Sequence, residues 1–262
     1  MKQTLLISDR TAAVLIKQPS YLGIVETRGR AVVELAHERG AMVVASVDPS
    51  TLGVLATPAA TGVDIACGDI QPLGIHQHFG GGHAGFIASA DDPHIVEQYP
   101  SRLFGVAPTS VEGEYGFGDV AYERTSFAVR EEGNEWVGTA AALWGITAGV
   151  YLALMGPQGM TELGERMMAR TRYAMERLAE LPGVSVPFAA SHHIKEFVVD
   201  FEGTGHTVAD INASLLRLGI FGGRDLSTEA GQSGQRALYA VTEIRSQSDI
   251  DRLVEAVGEA IR

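Results

Sequence analysis

The sequence predicts an α/β protein, with a mostly parallel sheet followed by a small α+β unit at the C-terminal end. Three observations carry this. Short apolar runs alternate with helix-length amphipathic segments over the first hundred residues. A long apolar helical stretch, 136–155, then meets a Gly156-Pro157 break and a charged amphipathic helix. After Pro182-Gly183 the pattern reads strand, strand, helix, strand, helix. Strands separated by helices imply crossovers and hence parallel pairing.

Taken in order, AAVLI at 12–16 is a run of buried-strand type. Arg28 to Arg39 places Val32, Val33, Leu35 and Ala36 opposite Glu34, Glu38 and Arg39, an amphipathic helix stopped by Gly40. AMVVASV at 41–47 is the second strand, residues 65–67 the third, and 84–89 the fourth. Residues 103–134, rich in glycine and charge, read as a long surface loop or a β-hairpin. The predicted C-terminal unit has strands at 184–188, 194–201 and 236–241, helices at 207–218 and 247–261, and a glycine-rich FGGRD turn. The expected domains are 1–156, including the 136–155 helix as an interface element, and 157–262.

Composition narrows the function. The net charge of −12 opposes nucleic acid and anionic membranes as partners, since binding phosphate needs clustered Lys and Arg. Residues 136–155 carry no charge after Glu135, but their glycines and threonines favour a packed helix over a membrane span. The single cysteine, Cys67, has no internal disulfide partner, and no secretory signal is legible. A reducing, cytoplasmic setting is expected.

In open parallel sheets, ligands bind beyond the carboxyl ends of the strands. Asp48 directly follows the 41–47 strand, and the loop from Gly68 to Gly82 follows the next one. That loop holds Gln71, His76, His78, Gly80, Gly81 and Gly82. Consecutive glycines can present backbone N–H groups to a phosphate, or can simply form a tight turn. Asp48 can serve a ligand or cap the turn that follows it. His76, His78 and His83 have a spacing compatible with a metal, but lack a completing Cys or carboxylate cluster apart from Asp69, so no metal site is expected. The lysines are Lys2, Lys17 and Lys195. None lies in the glycine-rich segment, and Lys17 and Lys195 are not expected at the site.

Asp48-Pro49, GVDIACGDIQPLG at 62–74, FGGG at 79–82 and AGFIA at 84–88 together resemble the glycine decarboxylase P-protein family, specifically its non-catalytic subunit 1. SYLGIVE at 20–26, RLFG at 102–105, VYLALMGPQGM at 150–160 and HIKEFVVDF at 193–201 extend the resemblance over nearly the whole chain. It implies a fold type I pyridoxal-phosphate-enzyme architecture in an N-terminally truncated or split form. The large domain would be partial, so an open sheet edge and an apolar face would need covering.

In the family's catalytic subunit a lysine holds the cofactor near the place that Gln71-Pro72 occupies here. The resemblance therefore implies that a lysine-bearing partner holds pyridoxal phosphate (PLP) covalently. This chain would supply loop 71–83, with Asp48 facing the pyridine nitrogen. Further implied partners are a lipoyl carrier protein and a chain supplying the N-terminal half. The function so implied is that of an accessory, lysine-lacking subunit of a heteromeric amino-acid decarboxylase, inactive alone. Two alternatives stay open: a scaffold or regulatory pseudoenzyme that binds no cofactor, and a subunit of a specialised PLP enzyme acting on another amino acid. A stand-alone metal enzyme using the three histidines is a third, weaker reading.

Overall fold

The computed structural model describes residues 7–80, 82–134, 141–229 and 234–262. Strands β1 (Ala13–Gln18), β2 (Met42–Val47), β3 (Ile65–Asp69) and β4 (Gly85–Ser89) form one sheet in that spatial order. β1, β2 and β3 run parallel, with Leu15 opposite Val44 and Val44 opposite Ile65. β4 returns antiparallel, pairing Cys67 with Ile87. Helix α1 (Gly29–Glu38) makes the β1–β2 crossover, and the one-turn helix α2 (Pro58–Thr61) lies between β2 and β3.

The alternation of the strands decides what is covered. Val33 and Ala36 of α1 pack with Val43, Val14 and Ile16 on one face of the sheet. The other face carries Leu15, Met42, Val44 and Ile87, side chains that strand register places together. Leu15 is 71% exposed there and Ile87 54%. Parallel sheets normally bury both faces. One apolar face of this sheet therefore lies open.

After the one-turn helix α3 (Pro93–Val96), residues 103–134 form a hairpin of β5 (Phe104–Pro108) and β6 (Tyr115–Asp119), followed by 3-10 turns. Of the two readings left open for this region, the hairpin is the observed one. Helix α4 spans Ala142–Ala179 and breaks at Gly156, whose φ of 61° and ψ of 178° are not helical. Pro157 begins its second half; a proline at a helix start loses no needed N–H. The first half buries Ala148 and packs Trp144, Tyr151 and Met155 against Ile70, Leu73 and Ile75. In the second half, Met160, Leu163 and Met167 join that same core, whereas Ala174, Met175 and Leu178 join the C-terminal one. One helix thus ties the two cores together. Residues 136–140 of the expected interface helix lie outside the described residues.

The C-terminal unit packs β7 (Glu196–Asp200), β8 (Arg224–Asp225) and β9 (Arg236–Ala240), in the order β7-β9-β8, against α5 (Val208–Arg217) and α6 (Gln247–Ala260). All its strand pairs are antiparallel. Residues 184–188 are not a strand. Only Ser185 bridges to Asp200, because Pro187 has no N–H to continue a ladder. Ser246 and Asp249 form a reciprocal capping box that starts α6.

The two units are joined near the carboxyl end of β1. Val25 N–H donates to the His192 carbonyl at 2.9 Å, and Ile24 bridges His193. Gly23 (φ 78°) lies so close to β7 that an added Cβ would stand 1.9 Å from the Glu196 carbonyl oxygen. Only glycine allows that approach.

Candidate functional site

Two adjoining cavities lie beyond the carboxyl ends of β1–β3. The first, about 590 Å3, is an open groove lined by Asp69, Gln71, Pro72, His76, Phe79, Gly80, Gly82 and His83. The second, about 400 Å3, is lined by Lys17, Ser46, Asp48, Asp69, Pro72 and Glu196. Asp69 and Pro72 belong to both, so the predicted residues are divided between two halves of one crevice.

The glycine-rich loop has a specific build. Gln71 N–H donates to Asp69 Oδ1 at 2.5 Å, and Gln71 Nε2 donates to the Ile75 carbonyl at 2.8 Å. Gln71 thus braces the loop with its side chain. His78 turns onto Trp144 of α4, with ring centroids 4.8 Å apart, and meets His76 edge-on at 6.3 Å. His83 Nε2 lies 2.6 Å from the Gly80 carbonyl. Gly82 (φ 71°) is so tightly held that a Cβ would stand 2.7 Å from the Trp144 ring. Gly81 lies outside the described residues. Among the described residues, no three His, Cys, Asp or Glu side chains converge as metal ligands would.

Phe79, unremarked in the sequence, dominates the tip of this loop. It follows His78 into the left-handed region, with φ of 55° after 48°, and its side chain is fully exposed. A bulky residue at positive φ costs about 1–2 kcal/mol.

Asp48 does two things at once. Its Oδ1 accepts from the Ser50 N–H at 3.0 Å and the Ser50 hydroxyl at 2.7 Å, capping the turn at Pro49–Thr51. Its Oδ2 forms an ion pair with Lys195 Nζ, both side chains about 15% exposed. Here the structure corrects the sequence reading. Lys195 and Lys17, set aside as unable to reach the crevice, both stand at it: Lys195 on Asp48, Lys17 in the lining. The reach comes from the Gly23–Glu196 approach, which lays the start of β7 across the strand ends. Such a contact between residues 147 positions apart has no local pattern. Glu196 next to it has its carboxyl pushed up from the usual range, chiefly by burial, with Lys195 opposing.

The residues present do not fit covalent retention of an aldehyde cofactor. Such retention needs an amine of lowered pKa, free to attack a carbonyl. The loop from Gln71 to Gly80 has no amine, the Lys195 ammonium is engaged by Asp48, and the Lys17 ammonium lies over the Tyr21 ring in the other half of the crevice. The Asp48 carboxylate is thus already paired within this chain. What the chain does offer is the exposed loop tip at Phe79 and Gly80.

The architecture is that of fold type I PLP enzymes. An Escherichia coli cysteine desulfurase superposes with a TM-score of 0.66 over 98% of this chain and 60% of its own, at 19% identity. The family is narrower. The chain belongs to the glycine cleavage system P-protein family, whose model matches residues 1–257. A solved glycine decarboxylase (P-protein) in inhibitor-bound form superposes with a TM-score of 0.84 at 32% identity, covering 97% of this chain and 56% of that one. A probable glycine dehydrogenase (decarboxylating) subunit 1 from Chlorobium limicola is 39% identical over 253 residues, covering 97% of this chain and 55% of the relative. One of the same description from Staphylothermus marinus is 34% identical over 255 residues, covering 97% of this chain and 54% of the relative. The chain therefore spans about half the length of the relatives it matches.

Proposed function

We propose that this chain is an accessory part, without a Schiff-base lysine of its own, of a heteromeric, P-protein-like PLP enzyme that decarboxylates glycine or a related amino acid. The observation that carries it is the Asp48–Lys195 pair beside a loop without an amine. The chain keeps the strand-end crevice and lacks the covalent anchor. A lysine-bearing partner then holds the cofactor, which supplies the electron sink for loss of carbon dioxide. This chain's share is geometric. Loop 71–83 presents the rings of His76 and Phe79 to the partner's site and helps exclude water from it, with Gly80 and Gly82 shaping its turn. The exposed sheet face at Leu15 and Ile87 supports a further covering chain.

Helix α4 supports the same reading. Its first half is apolar all round. Trp144, Ala148, Tyr151 and Met155 face the core, while Leu143, Ile146, Val150 and Leu154 form an exposed stripe on the other side. Such a helix belongs between two packed bodies. A lipoyl carrier protein is the acceptor this reading implies for the aminomethyl group, and a reducing cytoplasm suits the lone thiol of Cys67.

The test is co-purification with a lysine-bearing subunit, read by mass and by the visible absorbance of bound PLP. The expected result is a heteromer with one PLP per pair, lost when the partner's lysine is replaced. A stable homo-oligomer that takes no partner would overturn the proposal.

A further inference from the structure

The C-terminal sheet is open at one place on its edge. The Phe201 N–H donates to the Gln235 carbonyl at 2.7 Å and the Val241 N–H to the Lys195 carbonyl at 2.8 Å, so the odd-numbered residues along β9 bond toward β7. In an antiparallel ladder the residues between them turn their N–H and C=O the other way. Ala240 therefore points both groups toward the β8 side. There β8 reaches only as far as Arg224, opposite Leu238. Gly222, the residue that would come next to Ala240, lies on α5 instead, where an added Cβ would stand 2.0 Å from Asn212 Oδ1. Ala240 is exposed, and no backbone group of 219–222 bonds to it. A cleft of about 370 Å3 fills the gap, with apolar walls from Ile220, Phe221, Ile250 and Leu253. Arg245 and Arg252 also line it, and neither forms an ion pair among the described residues. The carboxylate there, Asp249, accepts from the Ser246 N–H at 2.8 Å and the Ser246 hydroxyl at 2.7 Å. Two guanidinium groups against one carboxylate leave the cleft positive, in a chain whose net charge is −12.

These three features together select an occupant. An open strand edge takes an extended peptide, an apolar cleft beside it takes a side chain, and a net positive charge takes a carboxylate. An acidic residue inside a chain spends its side chain on the carboxylate and has none left for the apolar walls. The last residue of a chain offers both, and the backbone before it supplies the strand. We propose that this cleft binds the free C-terminus of a partner protein as an added strand. The terminal carboxylate meets Arg245 and Arg252, the last apolar side chain enters between Ile220, Ile250 and Leu253, and the preceding backbone pairs with Ala240. Phe221, 90% exposed in the lining, gains cover when the peptide is seated. The inference uses residues 212–253 alone and does not rest on the decarboxylase reading.

The experiment is fluorescence anisotropy of the full chain with a labelled hexapeptide ending in valyl-leucine, as the free acid and as the C-terminal amide. The acid is expected to bind with a dissociation constant on the order of 100 μM or tighter. The amide should bind at least about tenfold more weakly, the scale of a lost charge-assisted hydrogen bond. Arg245→Gln should cost the acid the same factor; the Arg245 side chain holds no hydrogen bond or ion pair within the described residues, so the fold is not at stake. Ala240→Pro removes the N–H that strand addition needs and should also weaken binding about tenfold, since an edge strand tolerates proline where its N–H faces outward. Thermal melts check folding of both variants, and the Arg245 variant and the amide carry the test should Ala240→Pro misfold. No binding of the acid up to about 1 mM, well above the expected constant, overturns the proposal. So does an amide that binds as tightly as the acid, or acid binding that either folded variant leaves unchanged. Competition by N-acetyl-leucine as tight as the peptide itself would make this a small-molecule site and overturn it too.

Discussion

Lys195, just before the first strand of the C-terminal unit, forms an ion pair with Asp48, at the carboxyl end of the second strand of the parallel sheet. The pair joins the two units of the chain across the crevice. It also engages a carboxylate that lines the crevice. Both consequences can be measured.

Lys195→Met should destabilise the chain by about 1–3 kcal/mol, because it leaves the Asp48 carboxylate largely buried with only its Ser50 hydrogen bonds. Adding Asp48→Asn should cost less than the sum of the two single changes. Urea denaturation of the four proteins gives the coupling. A coupling energy near zero would show that the pair is not a working contact.

Glu196 gives stability a pH dependence. Its folded pKa lies above the ordinary 4.5, so the native state holds the proton more tightly than the unfolded chain does. Its stabilising share is complete below the unfolded pKa and is lost as pH rises through the folded pKa. Glu196→Gln removes that loss. The variant's stability relative to the parent should therefore rise as pH climbs above the ordinary 4.5, measured by denaturant unfolding at each pH. A difference that does not change with pH would refute the role given to burial.

Phe79→Gly relieves the left-handed strain at the loop tip but adds chain entropy. The isolated chain should be unchanged or up to about 1 kcal/mol more stable. Affinity for the lysine-bearing partner should fall at least about tenfold, as when an exposed aromatic anchor is lost. Thermal unfolding and partner titration separate the two effects. Equal loss in both would make Phe79 a folding residue only.

Ile146→Glu tests the outer stripe of α4. Ile146 is 63% exposed, so the isolated chain should change by no more than about 0.5 kcal/mol. A charge buried in an apolar interface should abolish partner binding at micromolar concentrations, roughly a loss of several kcal/mol. Intact binding would move the interface elsewhere.

Much of the fold was legible in the sequence. The apolar runs at 12–16 and 41–47 and the helix at 28–39 leave little choice of element, and Gly156-Pro157 marked the break inside α4, although the 12–16 strand, expected buried, has Leu15 71% exposed. Residues 184–188 misled, since a short apolar run around Pro187 looks like a strand until the ladder is counted. Within the site, the loop from Gln71 to Gly82 was found because glycine clusters are local signals. His78 is grouped with that loop in the sequence, and the structure turns its ring onto Trp144.

The sequence by itself determined the α/β class, the place of the crevice and the lack of an amine in its loop, because these follow from short-range pattern and residue identity. Only the tertiary structure decided that Lys195 reaches Asp48, that Lys17 and Glu196 share the same cleft, and that Phe79 stands clear of the core. Those are contacts and exposures between segments far apart in the chain. They are set by how closely backbones approach at a point such as Gly23, which no local periodicity records.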